Sequence, residues 1–166
     1  AFEVEESEKI GNDTVFEIKV LPDRAHDCQS HYGMAREVAG LLGLTFKDTN
    51  EYFKPIDGSP TDLKIDIQTK LCRRYMGRII RGVKIGPSPD WLKNYLEAIG
   101  QRSINNIVDA TNLVMFDVGQ PTHAFDAKKI YGNKIVIAAV DQETNVPILS
   151  GESKQLQAGE MVIMDD

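Results

Sequence analysis

"GPSPDWLKNYLEAIGQRSINNIVDATNLVMF", residues 86–116, decides the fold class, because it writes two helices in succession inside a chain that otherwise reads as strands and loops. In the first helix Ser88 is the expected N-cap and Pro89 the first helical position, with Asp90 in the positive first turn and Gly100 just past the end. Trp91, Leu92, Tyr95, Leu96 and Ile99 recur at helical spacing and form its expected buried stripe. The second helix is expected from roughly Asn105 to Phe116, burying Ile107, Val108, Thr111 or Ala110, Val114 and Met115. Asn105, Asp109 and Asn112 share the opposite, polar face.

Strand patterns surround this helical pair. Upstream stand "LKIDIQT", Leu63–Thr69, and the longer "CRRYMGRIIRGVKI", Cys72–Ile85, with Ile79, Val83 and Ile85 on one face and cations on both. Downstream come "KIVIAAV", Lys134–Val140, and "EMVIMDD", Glu160–Asp166. Nearer the N-terminus, "DTVFEIKV", Asp13–Val20, alternates as a half-buried strand that brings Val15, Ile18 and Val20 near one another. "LPDRAHDCQSHYGMAREVAGLLG", Leu21–Gly43, then supplies Asp27 as the expected N-cap and a stripe of Met34, Ala35, Val38, Leu41 and Leu42, closed by Gly43. The pattern predicts an α/β (α+β) fold, a mixed sheet with packed helices. The turn-rich "KDTNEYFKPIDGSPTD", Lys47–Asp62, divides it. Residues 1–47 read as a strand and helix portion of one domain, 48–62 as a linker, and 63–166 as a second domain. A final strand with no turn or helix after it predicts that this second domain is incomplete.

The bulk composition, 42% hydrophobic and 27% charged, is that of a globular protein. No apolar run approaches the ~18 residues of a membrane span, and the N-terminus carries no signal-peptide pattern, so a cytoplasmic protein is expected. Cys28 and Cys72 lie far apart without framework spacing, as free thiols in a reducing compartment do. A net charge of −6 argues against indiscriminate nucleic-acid binding. Against that balance, "KLCRRYMGRIIRGVK", Lys70–Lys84, holds six cations and no acid. Arg73, Arg74, Arg78 and Arg81 carry forks that suit phosphate oxygens, and Tyr75 suits a base or sugar; the same arginines also suit the surplus carboxylates of this chain.

His26, Cys28 and His31, with Asp23 and Asp27 near, form a possible metal set, but the spacing gives neither a cysteine knuckle nor two histidines on one helical face. No metal site is expected, and a polar loop that fixes the helix start through Asp23, Arg24 and Asp27 explains the cluster. Arg102, Thr111, Asn112 and His123 are denser in chemistry: a cation, a hydroxyl, an amide and a group that titrates near neutrality. Together they suffice to hold a carbonyl, orient a water and move a proton. On spacing alone Asn112 equally reads as a local cap and His123 as a turn histidine. There is no GxSxG elbow, no GxxxxGK[ST] loop and no GxGxxG, which removes support for acyl-enzyme chemistry and nucleotide binding within this segment.

Three strings, "LPDRAHDCQSHYGMAREVAGLLG", the long run from Cys72 to Gly132, and "GEMVIMDD", together resemble the β chain of bacterial phenylalanine–tRNA ligases. The likeness runs almost from end to end, placing residues 1–47 in part of the N-terminal domain and 63–166 in the first part of the editing domain. It implies an αβ heterotetramer in which the α chain attaches phenylalanine to tRNA(Phe) using ATP and Mg2+, while the β chain binds tRNA and hydrolyses mischarged Tyr-tRNA(Phe). Editing answers a physical limit, since an apolar pocket rejects an analogue with one extra hydroxyl only about a hundredfold.

By the same resemblance His123, Asn112 and Thr111 line the editing pocket as its catalytic set and Arg102 binds the substrate. Arg73, Arg74, Arg78 and Arg81, on the charge of their stretch, are weaker candidates for tRNA contact. No cofactor is expected within this segment, and the family's residue that recognises the tyrosine hydroxyl falls beyond Asp166. "DRAHDCQSH" departs from the family's commoner Arg-Pro-Asp-Cys wording but keeps the helix start. The rival reading is a stand-alone RNA-binding or trans-editing module without synthetase chemistry.

Overall fold

The computed structural model describes residues 2–48, 58–147 and 151–165. They form two compact units, one made of 2–48 with 84–124, the other of 58–83 with 125–147 and 151–165. The fold is α/β, with a mixed sheet, antiparallel hairpins and helices packed on one another.

The first unit opens on a hairpin, β1 (Phe2–Ile10) against β2 (Asp13–Val20), paired antiparallel from Phe2↔Val20 to Ile10↔Asp13, with an irregularity between Val4 and Glu6. A short 3-10 turn (Pro22–Arg24) and the one-turn helix α1 (Ala25–Cys28) lead to α2 (His31–Leu42). The cap of α2 is Ser30, whose hydroxyl accepts from the Gly33 N–H, and not Asp27. Asp27 is engaged elsewhere: Arg24 donates to it at 2.8 Å and to Glu37 at 2.8 Å, lacing α1 to α2. Gly43 closes α2 in the left-handed conformation, as expected. Of the expected stripe, Leu41 at 69% and Leu42 at 67% exposure stay outside, and the close contact is made by Gly33 and Ala39.

α3 (Asp90–Ala98) buries Leu92 and Leu96, while Trp91 remains 61% exposed. Its N-cap is Pro89, which has no side chain to cap with, because the Ser88 hydroxyl is turned to Asp109 instead. α4 (Asn106–Val118) begins at Asn105, whose side-chain oxygen accepts from the N–H groups of Ile107 and Val108 at 3.0 Å. It ends at Gly119, with φ 76, where a side chain would be both strained and 3.3 Å from the Ser30 side chain. Helix α4 packs on both α2 and α3.

The second unit is built on β3 (Lys64–Ile67), β4 (Lys134–Ala139) and β7 (Met161–Asp165) in the order β3-β4-β7, parallel on one side of β4 and antiparallel on the other. Ile135, Val136, Ile137 and Ala138 of the central strand are all buried, so the apolar run of the sequence is that of a strand covered on both faces. A separate hairpin joins β5 (Thr144–Pro147) to β6 (Ser153–Leu156). The expected long strand over Cys72–Ile85 does not form: residues 72–85 take neither helix nor strand. Met76, Ile80 and Ile85 are exposed, and Gly77 lies beside the Leu63 and Ile65 side chains at the start of β3. Most of the expected linker, residues 49–57, lies outside the described residues.

Candidate functional site

The dense set of the sequence falls on α4 and the segments that flank it, all within the first unit. Arg102 lies exposed in the connection from α3, Thr111 and Asn112 are half-buried on the helix, and His123 is exposed beyond its C-terminal glycine. Thr111 donates its hydroxyl proton to the Val108 carbonyl at 2.6 Å, so its oxygen faces any ligand as an acceptor. Arg73, Arg74, Arg78 and Arg81 are exposed in the second unit, where Arg74 contacts the Met76 sulfur at 3.2 Å.

The residue that organises this region was not in the expected set. Asp109, placed by periodicity on the polar face opposite the apolar stripe, is 0% exposed. Its Oδ2 accepts from the Ser88 hydroxyl at 2.5 Å and the Ser103 hydroxyl at 2.6 Å, and its Oδ1 from the Ile104 N–H at 2.9 Å. Burial pushes this carboxyl up, but the hydrogen bonds from Ser103, Ser88 and the backbone at Ile104 and Asn105 outweigh it and hold it below the usual carboxylate range. Asn106, one turn earlier, makes a second clamp: its side chain accepts from the Gly86 N–H at 3.1 Å and donates to the Lys84 carbonyl at 3.0 Å. The start of α4 therefore grips two segments, 84–88 and 103–104. Helical spacing put Asn105, Asp109 and Asn112 on one face correctly; what it lacked was the pair of serines, far apart in sequence, that turns this face inward.

One other polar contact escaped sequence reading. His31 and Tyr95 hydrogen-bond and stack edge to face with centroids 5.5 Å apart, joining α2 to α3. Burial, with Asp117 nearby, pushes the Tyr95 hydroxyl up to about 12. Asp27 is held at about 2 chiefly by the hydrogen bonds from Arg24. A cleft of about 290 Å3 opens where α1, α2 and the end of α4 meet, lined by His26, Ser30, Tyr32, Arg36 and Gly119 among others. A second of about 250 Å3 lies between Phe2, Glu3, Lys19 and Leu21. Arg102, Thr111, Asn112 and His123 line neither. Among the described residues no group of three or more His, Cys, Asp or Glu side chains is gathered as a metal-holding set, and no helix is long and apolar enough to cross a membrane.

This clamped helix and its flanking loops lie inside residues 71–166, which match the family described as the B3/4 domain, and the chain belongs to that family. The fuller likeness is to phenylalanine–tRNA ligase β subunits, as the motif strings imply. The chain is 46% identical over 157 residues to that of Fusobacterium nucleatum, 45% over 156 to that of Bdellovibrio bacteriovorus, and 40% over 160 to that of Desulfotalea psychrophila. Each match covers 93% of this chain and 19% of the relative, so the chain spans about a fifth of the length of these curated relatives.

Proposed function

We propose that this chain is part of the β subunit of a phenylalanine–tRNA ligase and contributes to hydrolytic clearance of mischarged Tyr-tRNA(Phe). The observation that carries the reading is the likeness to those β subunits over 93% of the chain, long enough to take in the whole of residues 102–123. In this reading residues 1–47 belong to the N-terminal domain and 63–166 open the editing domain.

The residues divide the chemistry as follows. Water attacks the ester carbonyl carbon, the bond to the terminal ribose oxygen breaks, and tyrosine leaves a free tRNA end. His123 orients that water or the ribose, and Asn112 positions the ester carbonyl. Thr111, its proton already committed to Val108, accepts from the amino group of the amino acid. Arg102 pairs with the phosphate of the terminal adenosine or shapes the pocket beside it. Arg73, Arg74, Arg78 and Arg81 offer exposed cations to the tRNA backbone. Among the described residues no metal-holding set is gathered. In this reading ATP and Mg2+ belong with the α chain of an α2β2 assembly in the cytoplasm, and no step here runs through them.

The test is deacylation of Tyr-tRNA(Phe) by the full-length protein with its α chain, wild type against His123→Ala and Asn112→Ala. Each variant is expected to lose about ten- to hundredfold in rate while charging with phenylalanine is kept. Wild-type rates in both would remove these residues from the site.

A further inference from the structure

Asp109 is the one buried charged residue among the described residues, and its side chain accepts from Ser88, Ser103 and the Ile104 N–H, which stand on two loops. Two of the three, Ser103 and the Ile104 N–H, directly follow Arg102 in the connection from α3 to α4. Thr111 and Asn112 follow Asp109 on the same helix. One carboxylate thus fixes the loop that carries the exposed cation to the helix that carries the hydroxyl and the amide.

We propose that Asp109 and Ser103 are positioning residues for the site on α4, setting where Arg102 stands relative to Thr111 and Asn112. The inference rests on the editing reading above. Hydrogen bonds to a desolvated carboxylate are short and directional, so they hold a loop within a few tenths of an ångström, which is the tolerance that productive geometry demands. The clamp on the other side is independent, since Asn106 holds residues 84–86 through its own amide and backbone. Removing the Ser103 hydroxyl therefore takes away the tie next to Arg102 and loosens its loop, while the Ile104 N–H bond and the Asn106 clamp keep the start of α4 tied. A purely structural role would cost stability without passing through Arg102.

A double-mutant cycle in the full-length protein with its α chain separates the two. Single-turnover deacylation of Tyr-tRNA(Phe) is measured for wild type, Ser103→Ala, Arg102→Ala and the double variant, with phenylalanine charging and thermal melting in parallel. Ser103→Ala is expected to slow deacylation about ten- to hundredfold, as a displaced group does, to leave charging at the wild-type rate, and to recover in Ser103→Thr, which restores the hydroxyl. The double variant is expected to be no slower than Arg102→Ala. Asp109→Asn, which keeps the shape, supplies the same comparison if Ser103→Ala loses its fold. Multiplying losses in the double variant, or wild-type editing by Ser103→Ala or by Arg102→Ala, overturn the positioning role. A wild-type protein that leaves Tyr-tRNA(Phe) intact overturns the editing reading itself, and the positioning role with it.

Discussion

A fully buried carboxylate is costly unless every lone pair it turns inward is answered, and Asp109 is answered by two hydroxyls and a backbone N–H. Asp109→Ala leaves those donors facing one another and is expected to cost about 3 kcal/mol in chemical denaturation. The same group makes stability depend on acid. Its folded value lies below the usual carboxylate range, so its contribution is complete above the unfolded value of about 3.9 and is lost as pH falls through the folded value. Asp27, held at about 2 by Arg24, acts in the same direction. Between about pH 5 and pH 2, Asp109→Asn should therefore lose stability less steeply than wild type, while being the less stable of the two at neutral pH. Equal slopes in urea titrations across that range would show that Asp109 is not held ionised.

Among the elements, α2, α3, α4, β2, β3, β4 and β7 follow patterns that the sequence displays locally, as apolar residues at helical or alternating spacing with Gly43, Gly100 and Gly119 past the helix ends. β1 was not legible, because its four glutamates are poor strand residues and no stripe marks it. The two-residue turn at Gly11 and Asn12, between Ile10 and Asp13, is the signal that finds it. The run over 72–85 misled in the opposite sense: its β-branched and aromatic content reads as a strand, yet a strand exists only where a neighbour completes its ladder. The four expected site residues were legible as chemistry, and the inward turn of Asp109 was not, since it depends on Ser88 and Ser103 meeting one carboxylate. Helix packing supplies a further test. A Cβ on Gly33 would stand 1.9 Å from the Asp27 carbonyl oxygen, so α1 and α2 meet only because that side chain is missing. Gly33→Ala should cost about 1 to 3 kcal/mol in denaturant unfolding, from forced displacement of backbone. A neutral result would mean that the α1 turn gives way freely.

For the whole molecule, the grouping of 84–124 with the N-terminal part and of 58–83 with the C-terminal part has no local signature, because periodicity reports neighbours along the chain and not returns of it. That return also sets an order in time. β3 pairs in parallel with β4, and the whole of α3 and α4 is spelled out between them. During synthesis at about 5–20 residues per second, Lys64–Ile67 waits several seconds for Lys134–Ile137 to appear, while the contacts of α3 with α4 become available first. In refolding, pulse-labelled amides of α4 should gain protection before those of Ile135–Ile137, since short-range helix contacts close sooner than a ladder across a long loop. Simultaneous protection would show that the two units fold as one. The clamp at Asp109 draws all its partners from residues 88–109, so it is finished before the central strand of the sheet has been made. The exposed partner strand β3 spends that interval with an open edge, and a chaperone or a neighbouring nascent chain would meet the molecule there.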